Sequence, residues 1–330
     1  MRIAIVKLSA LGDIVHAMVV LQFIKKFNKK ILIDWIVEES FKDLLEFHPD
    51  VNNVHLINIK QIKQKKSLLA FIKEFKKIRN LPSYDLVIDM QGLIKSAIIS
   101  KLIPSSQTLG FDKFSTRERP ASIFYNKTFA CAYGKNIIQR NIELVEFAFG
   151  FKVSKKQIQN KDPFLFSRKN QFDTKLSKTK KNILLIPGAS HKSKCYPALK
   201  LAEISTLIDA NFLVVWGNSE EKSLADSIKN ISPEVNICDR LSIDELILLT
   251  SKLDLVIGPD TGPTHLAWAL NVPSITLFGS TPGYRNTFKT NINKIIESGS
   301  AVDPKKINKY DNSIKNINVH DIIKTASTLI

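Results

Sequence analysis

Short apolar segments rich in β-branched residues alternate with helix-patterned segments along the whole chain, and this alternation most constrains the fold. Such runs are typical of parallel strands that are buried on both faces and joined by helices. We therefore predict an α/β fold built of doubly wound parallel sheets. The strand candidates cover residues 3–8, 31–37, 54–59, 86–90, 183–187, 212–216, 236–238, 255–258 and 274–278.

The chain of 330 residues is longer than one hydrophobic core usually covers, so two domains are expected. A polar, lysine-rich stretch separates the two halves. We predict a first domain over 1–168, an interdomain linker over 169–181, a second domain over 182–317 and a C-terminal helix over 318–330 that could pack back on the first domain. Open α/β sheets bind ligands at the carboxyl ends of their strands, so the two domains are expected to face a ligand-binding cleft.

The chain is strongly basic, with 48 lysines and arginines against 31 acids and a net charge of +17. Lysine predominates, and neither a helix-turn-helix, a zinc finger nor a stacked-aromatic pattern accompanies the charge, so we expect no nucleic-acid partner. The most local basic stretch, residues 59–79, has apolar residues at helical spacing with lysines largely elsewhere on the wheel. This pattern fits an anionic membrane surface or a solvated helix packed on the core, and it does not distinguish the two.

The three cysteines lie far apart in sequence and form no metal-binding spacing, so neither a disulfide framework nor a zinc site is indicated. The chain contains neither the pattern of a signal peptide nor an apolar run long enough to span a membrane. We therefore expect a cytoplasmic protein.

The most informative motif is LDLVIGPDTGPTHLAWAL, residues 253–270, in which a buried strand ends and a helix begins. The start of a helix offers free N–H groups and the positive end of the helix dipole, and a glycine there lets a phosphate approach the backbone. Asp260, Thr261, Gly262 and His265 are therefore candidate ligands of a phosphorylated substrate. The alternative is that Asp260 or Thr261 is only an N-cap.

Two other strand ends in the second half carry polar residues. Residues 184–197 place Ser190 and Lys194 in a loop whose hydroxyl and ammonium donors suit a diphosphate, although a solvated lysine is the alternative. Residues 214–226 place Glu220 and Glu221 where an acid accepts from ribose hydroxyls, but two acids in the first turn of a helix equally suit its dipole.

Phosphate-binding fingerprints are missing from the sequence. We find neither GxGxxG after a strand nor GxxxxGK[ST], and neither a DxD acid pair nor a His/Cys cluster to hold a metal ion. A diphosphate would therefore be bound by helix termini and lysines, as the second half offers, and we expect no metal site.

In the first half, the turn KLSALGDIVHAM, residues 7–18, carries a single glycine, Gly12, and an acid, Asp13. The loops that follow later strands carry cations suited to carboxylates or phosphates of a substrate, with surface solvation as the alternative. These cations are Lys95, Lys113, Arg117 and Arg119.

The motifs taken together resemble the ADP-heptose:lipopolysaccharide heptosyltransferases, glycosyltransferase family 9. The resemblance rests, in chain order, on VKLSALGDIVHAM, YDLVIDMQGLIKSA, TRERPASIFYN, SKCYP, WGNSEE and GPDTGPTHLAWAL, and it extends over nearly the whole chain. TRERPASIFYN is most similar to the type I enzymes. The resemblance implies a GT-B fold of two Rossmann-like domains, with the acceptor held by the first and ADP-heptose by the second, and an inverting transfer without an obligatory metal or other cofactor.

The resemblance also implies roles for individual residues. Asp13 matches the catalytic base, with an N-cap role as its alternative, and Lys194 matches the lysine on the donor phosphates. Asp260, Thr261, Gly262 and His265 match the donor-binding motif. Glu221 matches the ribose-binding glutamate better than Glu220 does. The sequence departs from the family pattern at GPTH and at CY after Lys194, which puts contacts to the base ring and the heptose in doubt.

The resulting expectation is transfer of L-glycero-D-manno-heptose from ADP-heptose to the Kdo of Kdo-lipid A. Lys95, Lys113, Arg117 and Arg119 would hold the carboxylate and phosphate groups of this acceptor. The acceptor is a membrane lipid, so peripheral contact with the cytoplasmic face of an anionic inner membrane is expected. The alternatives are heptosyltransferase II or another nucleotide-sugar enzyme of the same architecture, such as an epimerase.

Overall fold

The computed structural model describes residues 1–59, 68–170 and 175–330. The chain divides into two compact units, Met1–Phe164 and Leu165–Ile330. Each unit contains a six-stranded sheet in which all neighbouring strands run parallel. The predicted α/β class with two doubly wound parallel sheets is confirmed. The division at Phe164 lies within the region predicted as the first domain, and residues 171–174 of the predicted linker lie outside the described part of the chain.

The first unit follows the predicted alternation of strands and helices. Its strands are β1 (Arg2–Val6), β2 (Leu32–Glu38), β3 (Asn53–Ile57), β4 (Leu86–Asp89), β5 (Thr108–Phe111) and β6 (Lys127–Phe129). Its described helices are α1 (Leu11–Met18), α2 (Val20–Phe27), α3 (Leu68–Arg79), α4 (Ile94–Leu102), α5 (Ile137–Phe149) and α6 (Lys155–Gln159), with 3₁₀ segments at Glu39–Leu44 and Arg119–Phe124.

The second unit repeats this plan. Its strands are β7 (Asn182–Leu185), β8 (Asn211–Val214), β9 (Asn236–Ile237), β10 (Leu255–Pro259), β11 (Ser274–Phe278) and β12 (Asn293–Glu297). Its described helices are α7 (Ala198–Leu207), α8 (Ser219–Ile231), α9 (Ile243–Thr250), α10 (Gly262–Ala269), α11 (Gly283–Asn286) and α12 (Val319–Ala326), with 3₁₀ segments at Lys192–Lys194 and Ser313–Asn316.

The strand order places a switch point in the middle of each sheet. The orders are β3-β2-β1-β4-β5-β6 and β9-β8-β7-β10-β11-β12, so the chain winds outward in one direction from the first strand of each unit and then in the other. In such sheets the loops beyond the carboxyl ends of the two central strands diverge and leave a ligand-binding crevice. The crevices are therefore expected beside β1 and β4 in the first unit and beside β7 and β10 in the second.

Both faces of the second sheet are covered by apolar side chains. Ile183 and Leu185 of β7 enter one buried cluster, whereas Leu184, between them in sequence, enters another. Because side chains alternate across a strand, the two clusters lie on opposite faces of the sheet. This arrangement explains why the strand sequences are apolar throughout rather than alternating with polar residues.

The C-terminal helix, α12, lies in the second unit. We expected that residues 318–330 could pack back on the first domain, but Val319, Ile322 and Ala326 of α12 belong to the buried core of the second unit. Helix α12 packs against α7 and β11 of this unit. The apolar stripe of α12 is therefore buried within its own unit.

The basic segment 59–79 is described only in part, because residues 60–67 lie outside the described ranges. Within α3, Ile78 is buried in the core of the first unit. Leu69, Phe71 and Ile72 are exposed by 79%, 55% and 41%. The apolar side of α3 is therefore only partly covered. No helix in the described part of the chain is long and apolar enough to cross a membrane.

Candidate functional site

The strongest cluster of polar side chains in the second unit forms around the buried carboxylate of Asp260, directly after β10. Its Oδ1 lies 3.0 Å from Nε2 of His265. Its Oδ2 accepts hydrogen bonds from Thr281 Oγ1 (2.8 Å) and Asn286 Nδ2 (3.0 Å) and forms an ion pair with Lys194 Nζ (2.8 Å). Loops after β7, β10 and β11 thus meet at one carboxylate, and we call these five residues the Asp260 cluster.

The Asp260 cluster keeps its carboxylate ionised. Burial alone would raise the pKa of Asp260, but the Lys194 ammonium and the hydrogen bond from His265 outweigh this effect and hold the pKa well below its usual range. The Lys194 side chain is only 12% exposed. Asp260 therefore fixes the position of the Lys194 ammonium at the carboxyl end of the sheet, and the ammonium offsets the repulsion between the Asp260 carboxylate and a phosphate.

Helix α10 begins immediately beside this pair. Thr261 is its N-cap, has an extended backbone and makes no side-chain capping hydrogen bond. Thr261 and Gly262 are half-buried. The first N–H groups of a helix lack partners within the helix, and with the dipole they favour an anion. The helix start and the Lys194 ammonium are consequently two anion-binding features at one strand end.

Gly258 is required for this strand-to-helix turn. A Cβ atom at this position would lie 2.6 Å from Thr264 Oγ1 and 2.8 Å from Ile186 Cβ. The Thr264 hydroxyl occupies this space because it donates to the carbonyl of Pro259 (2.8 Å). The glycine therefore allows the first turn of α10 to pack closely on β10.

The loop after β7 is hydrogen-bonded to the loop after β11. Ser280 Oγ donates to Ser193 O (3.3 Å) and approaches Ser193 Oγ (3.1 Å), and both residues are buried. The adjacent Lys194 N–H donates to His191 O (2.9 Å), which closes a short 3₁₀ turn. Lys194 is thus held through its backbone as well as by Asp260. Ser190, in the same loop, is exposed.

The two candidate glutamates at the start of α8 have different surroundings. Glu221 Oε2 accepts from Gly217 N (2.7 Å), and its side chain lies so close to Gly188 that a Cβ at Gly188 would clash with Glu221 Cγ. Glu220 is exposed. Of the two, Glu221 therefore lies against the loop after β7, the loop that also carries Lys194.

In the first unit, Asp13 stands in the first turn of α1 with an exposed side chain. Its Oδ2 lies 3.4 Å from the backbone N of Ala10, the residue that occupies the N-cap position. Asp13 is therefore not the N-cap residue, but its carboxylate accepts from the N–H of the N-cap, a capping contact that does not exclude a role as base. Asp13 belongs to the first helical turn, where an acid also suits the helix dipole.

The loop before Asp13 is joined to the loop after the neighbouring strand β4. Gln91 Oε1 accepts hydrogen bonds from Leu8 N (3.0 Å) and Ser9 N (3.3 Å). This contact spans the switch point of the first sheet, since β1 and β4 pair in parallel. The Lys7 ammonium also donates to Met90 O (3.0 Å), so two side chains connect the two central loops at this edge.

A buried carboxylate, Asp89, shapes the loop that carries Gln91. Its Oδ1 accepts from Gln91 N (2.7 Å) and Gly92 N (3.1 Å), and its Oδ2 accepts from Tyr125 OH (2.7 Å). Burial raises the pKa of Asp89, against the lowering effect of these hydrogen bonds. Gly92 has φ of +67°, a left-handed conformation that favours glycine. The turn after β4 is consequently fixed by hydrogen bonds to the fully buried Asp89 carboxylate.

The predicted cations of the first unit lie after β4 and β5. Glu118 Oε2 accepts from Ile94 N (2.8 Å) at the start of α4, which brings the segment with exposed Arg117 and Arg119 to the helix turn that carries Lys95. An acid at this helix start also suits the dipole. Three of the four predicted cations are therefore gathered at the first turn of α4.

The fourth cation, Lys113, is exposed, and its ammonium lies 5.0 Å from the centroid of the Phe114 ring. Two hydrogen bonds to the backbone of Ser115 fix its loop. Asp112 Oδ1 accepts from Ser115 N (2.8 Å), and the buried Arg140 donates from Nη2 to Ser115 O (2.6 Å). The loop that carries Lys113 is thus anchored on α5.

Sequence reasoning missed Thr281 and Asn286 of the Asp260 cluster. It also missed Gln91, which joins the loops after β1 and β4. Thr281 and Asn286 follow the predicted strand 274–278, whose carboxyl end lies at the same sheet edge as that of β10. The rule that open α/β sheets bind ligands at the carboxyl ends of their strands also indicates these two residues. Gln91 had a weaker signal, because only the pairing of β1 with β4 shows which loop it meets.

Comparison with known proteins identifies relatives along the whole chain. The sequence profile of glycosyltransferase family 9 (heptosyltransferase) matches residues 72–315. Lipopolysaccharide heptosyltransferase 1 of Campylobacter coli is 40% identical, with 100% of this chain and 99% of the relative covered. The protein of the same name from Escherichia coli K12 is 28% identical, covering 86% and 89%. The structure of E. coli heptosyltransferase WaaC with ADP superposes with a TM-score of 0.81 at 22% identity, covering both chains fully.

Proposed function

This chain belongs to glycosyltransferase family 9, the heptosyltransferases, and we propose that it transfers heptose from ADP-heptose to the Kdo of Kdo-lipid A. The observation that carries the proposal is the meeting of Lys194, Asp260 and the start of α10 at one strand end, in a chain similar over its full length to a lipopolysaccharide heptosyltransferase 1. This arrangement suits the diphosphate of a nucleotide sugar.

The second unit is proposed to bind the donor. The Lys194 ammonium and the N–H groups of Thr261 and Gly262 would contact the two phosphates. Asp260 and His265 would hold these groups in position, and Ser190 would add a hydroxyl donor from the loop after β7. Glu221 would accept hydrogen bonds from the ribose hydroxyls of ADP. Its half-buried position against Gly188 supports Glu221 over Glu220.

The first unit is proposed to bind the acceptor. Lys95, Arg117 and Arg119 lie around the first turn of α4, where their charges suit the carboxylate of Kdo and the phosphates of lipid A. Lys113 would add a further positive charge from the loop anchored by Arg140. Exposed apolar side chains accompany these cations, among them Phe114, which suits an acceptor that is a lipid.

Asp13 is proposed to be the general base. An acceptor hydroxyl attacks the anomeric carbon of the heptose, on the face opposite ADP, and its proton passes to the Asp13 carboxylate. The new glycosidic C–O bond forms as the bond from the anomeric carbon to the phosphate oxygen breaks, and ADP leaves with the electron pair. The anomeric configuration is therefore inverted, through an oxocarbenium-like transition state.

We propose that this transfer needs no metal ion. Negative charge develops on the β-phosphate as ADP leaves, and Lys194 with the start of α10 would stabilise this charge in a fixed geometry. The metal-dependent alternative predicts that chelation abolishes the reaction.

The test of this function is the release of ADP from ADP-heptose by the purified full chain. We expect release that depends on Kdo-lipid A and continues unchanged in excess EDTA, with UDP-sugars inactive. An epimerase would instead convert the nucleotide sugar without acceptor. Loss of activity in EDTA with recovery on adding a divalent cation would contradict the metal-independent mechanism alone.

We also propose that α3 contacts an anionic membrane surface, on the cytoplasmic face of the inner membrane. Its exposed Leu69, Phe71 and Ile72 accompany the exposed Lys73 and Lys76. Apolar side chains that enter the interface and lysines that pair with anionic headgroups act together in such helices.

Reversing two of these charges is expected to weaken membrane binding. The double variant Lys73→Glu and Lys76→Glu should lower partitioning onto vesicles with anionic lipid by at least about 30-fold, because each lost lysine contributes about 1 kcal/mol and the new glutamates are repelled by the anionic headgroups. The double variant Lys306→Glu and Lys309→Glu makes the same change of charge at exposed positions of the second unit. Flotation with anionic and neutral vesicles measures both. Equal losses in the two variants would show that net charge, not α3, determines binding.

A further inference from the structure

We infer that Gln91 is a positioning residue for the Asp13 carboxylate. The inference rests on the proposed function, because it concerns the base of that reaction. Gln91 follows β4, whereas Asp13 follows β1, and the Gln91 side chain binds two backbone N–H groups of the loop between β1 and Asp13. Its role would be to fix the backbone from which the helix with Asp13 starts.

The geometry of the contact determines the orientation of the Gln91 amide. The N–H groups of Leu8 and Ser9 both point at one side-chain atom, at 3.0 and 3.3 Å. Two donors require an acceptor, so this atom is Oε1 and the amino group lies on the other side. These backbone groups lie beyond the end of β1, where part-buried N–H groups need a partner outside the strand.

The loop is bound on its opposite side as well. The carbonyl of Leu8 accepts from Glu38 N (3.2 Å) at the end of β2, and Trp35 Nε1 donates to Lys7 O (3.2 Å). Gln91 therefore completes a set of contacts that hold residues 7–9 from both neighbouring strands. Without it, the Leu8 and Ser9 N–H groups would lose their acceptor from the β4 side, and the contact of Lys7 Nζ with Met90 O (3.0 Å) would remain.

Gln91 is itself rigidly supported. The buried Asp89 carboxylate binds the N–H groups of Gln91 and Gly92 and is in turn held by Tyr125 OH. A hydrogen-bond network around a buried carboxylate has few alternative arrangements. The backbone of Gln91 is thus a fixed point from which its side chain can orient the neighbouring loop.

Asp13 depends on this loop because its own local contact is weak. The 3.4 Å separation between its carboxylate and Ala10 N is the hydrogen bond that the described structure gives its side chain. Ala10 directly follows Ser9, so a shift of residues 8 and 9 moves the start of α1. A general base must lie within hydrogen-bond reach of the proton that it accepts, and displacement by about 1 Å is costly to the rate.

Two substitutions of Gln91 test whether its side-chain oxygen, and not only the size of the side chain, is needed to position Asp13. Gln91→Met keeps the length but removes the acceptor, so kcat should fall roughly 10- to 100-fold with the KM for ADP-heptose unchanged. Gln91→Glu keeps an oxygen for both N–H groups and should retain kcat within about fivefold of wild type. Wild-type kcat in Gln91→Met, or equal losses in the two variants, would overturn the inference.

A double-mutant cycle tests whether Gln91 acts through Asp13. In an Asp13→Asn background, Gln91→Met should cause no further loss of kcat, because the group that it positions is gone. An additional loss as large as in the wild-type background would contradict the inference and assign Gln91 to direct substrate contact.

Hydrogen exchange provides a readout that is independent of activity. The amide protons of Leu8 and Ser9 should exchange faster in Gln91→Met than in wild type, and at the wild-type rate in Gln91→Glu, while the amide of Ile183 in β7 stays unchanged in both. Unchanged exchange at Leu8 and Ser9 in Gln91→Met would overturn the positioning role. Absence of heptosyl transfer by the wild-type chain would instead overturn the proposed function.

Discussion

Replacing Asp13 by asparagine is expected to lower the rate of heptosyl transfer roughly 10²- to 10⁴-fold, the usual contribution of a positioned general base. The change keeps the size of the side chain and removes its ability to take the acceptor proton. Because Asp13 lies outside the unit proposed to bind ADP-heptose, the Kd of the donor should not change. Single-turnover kinetics with Kdo-lipid A, together with donor titration, measures the two quantities separately.

The chain offers a matched control for this substitution. Asp321 occupies the corresponding position in the first turn of α12 and is likewise exposed, so Asp321→Asn makes the same chemical change at a similar helix start. We expect wild-type transfer from this variant. If Asp13→Asn transfers heptose within about tenfold of wild type, Asp13 is not the base.

Replacing Lys194 by methionine is expected to have the second largest effect, on both turnover and stability. Loss of the cation that faces the leaving diphosphate should lower kcat roughly 10²- to 10³-fold. The same change leaves the buried Asp260 carboxylate without its ion-pair partner, which should lower the free energy of unfolding by about 3–5 kcal/mol. Steady-state kinetics and denaturant unfolding measure the two losses.

A second substitution separates these two effects. The double variant Lys194→Met and Asp260→Asn removes the uncompensated charge, so it should recover much of the stability while kcat stays low. Lys181→Met breaks an exposed ion pair with Asp254 and serves as control, with a change of less than about 1 kcal/mol expected. Unchanged donor affinity and turnover in Lys194→Met would refute its contact with the phosphates.

The fold was predictable because its determinants are local. The strands are short, apolar and separated by helix-patterned segments, and this pattern alone requires parallel sheets covered on both faces. The positions of Lys194, Asp260 and the start of α10 followed from a second rule, that parallel strands bring their carboxyl ends to one edge. Both rules need only the order of the elements along the chain.

The unpredicted features depend on contacts between elements. The apolar stripe of α12 is visible in the sequence, but its partner is any surface of suitable shape, and the core of the second unit provided it. The ion pair of Lys194 with Asp260 depends on the spacing of the loops after β7 and β10. Similarly, the contact of Gln91 with the loop before Asp13 requires that β1 and β4 are neighbours. Strand order and side-chain direction result from the packing of distant elements, so they cannot be read from a single sequence.

The most direct test of the proposed function is the product formed by the purified full chain from ADP-heptose and Kdo-lipid A. Mass spectrometry should show the acceptor heavier by one heptose residue, with one ADP released for each product, and nuclear magnetic resonance should show the anomeric configuration inverted. Conversion of ADP-heptose with no change in the mass of the acceptor, or a product with retained configuration, would contradict the account.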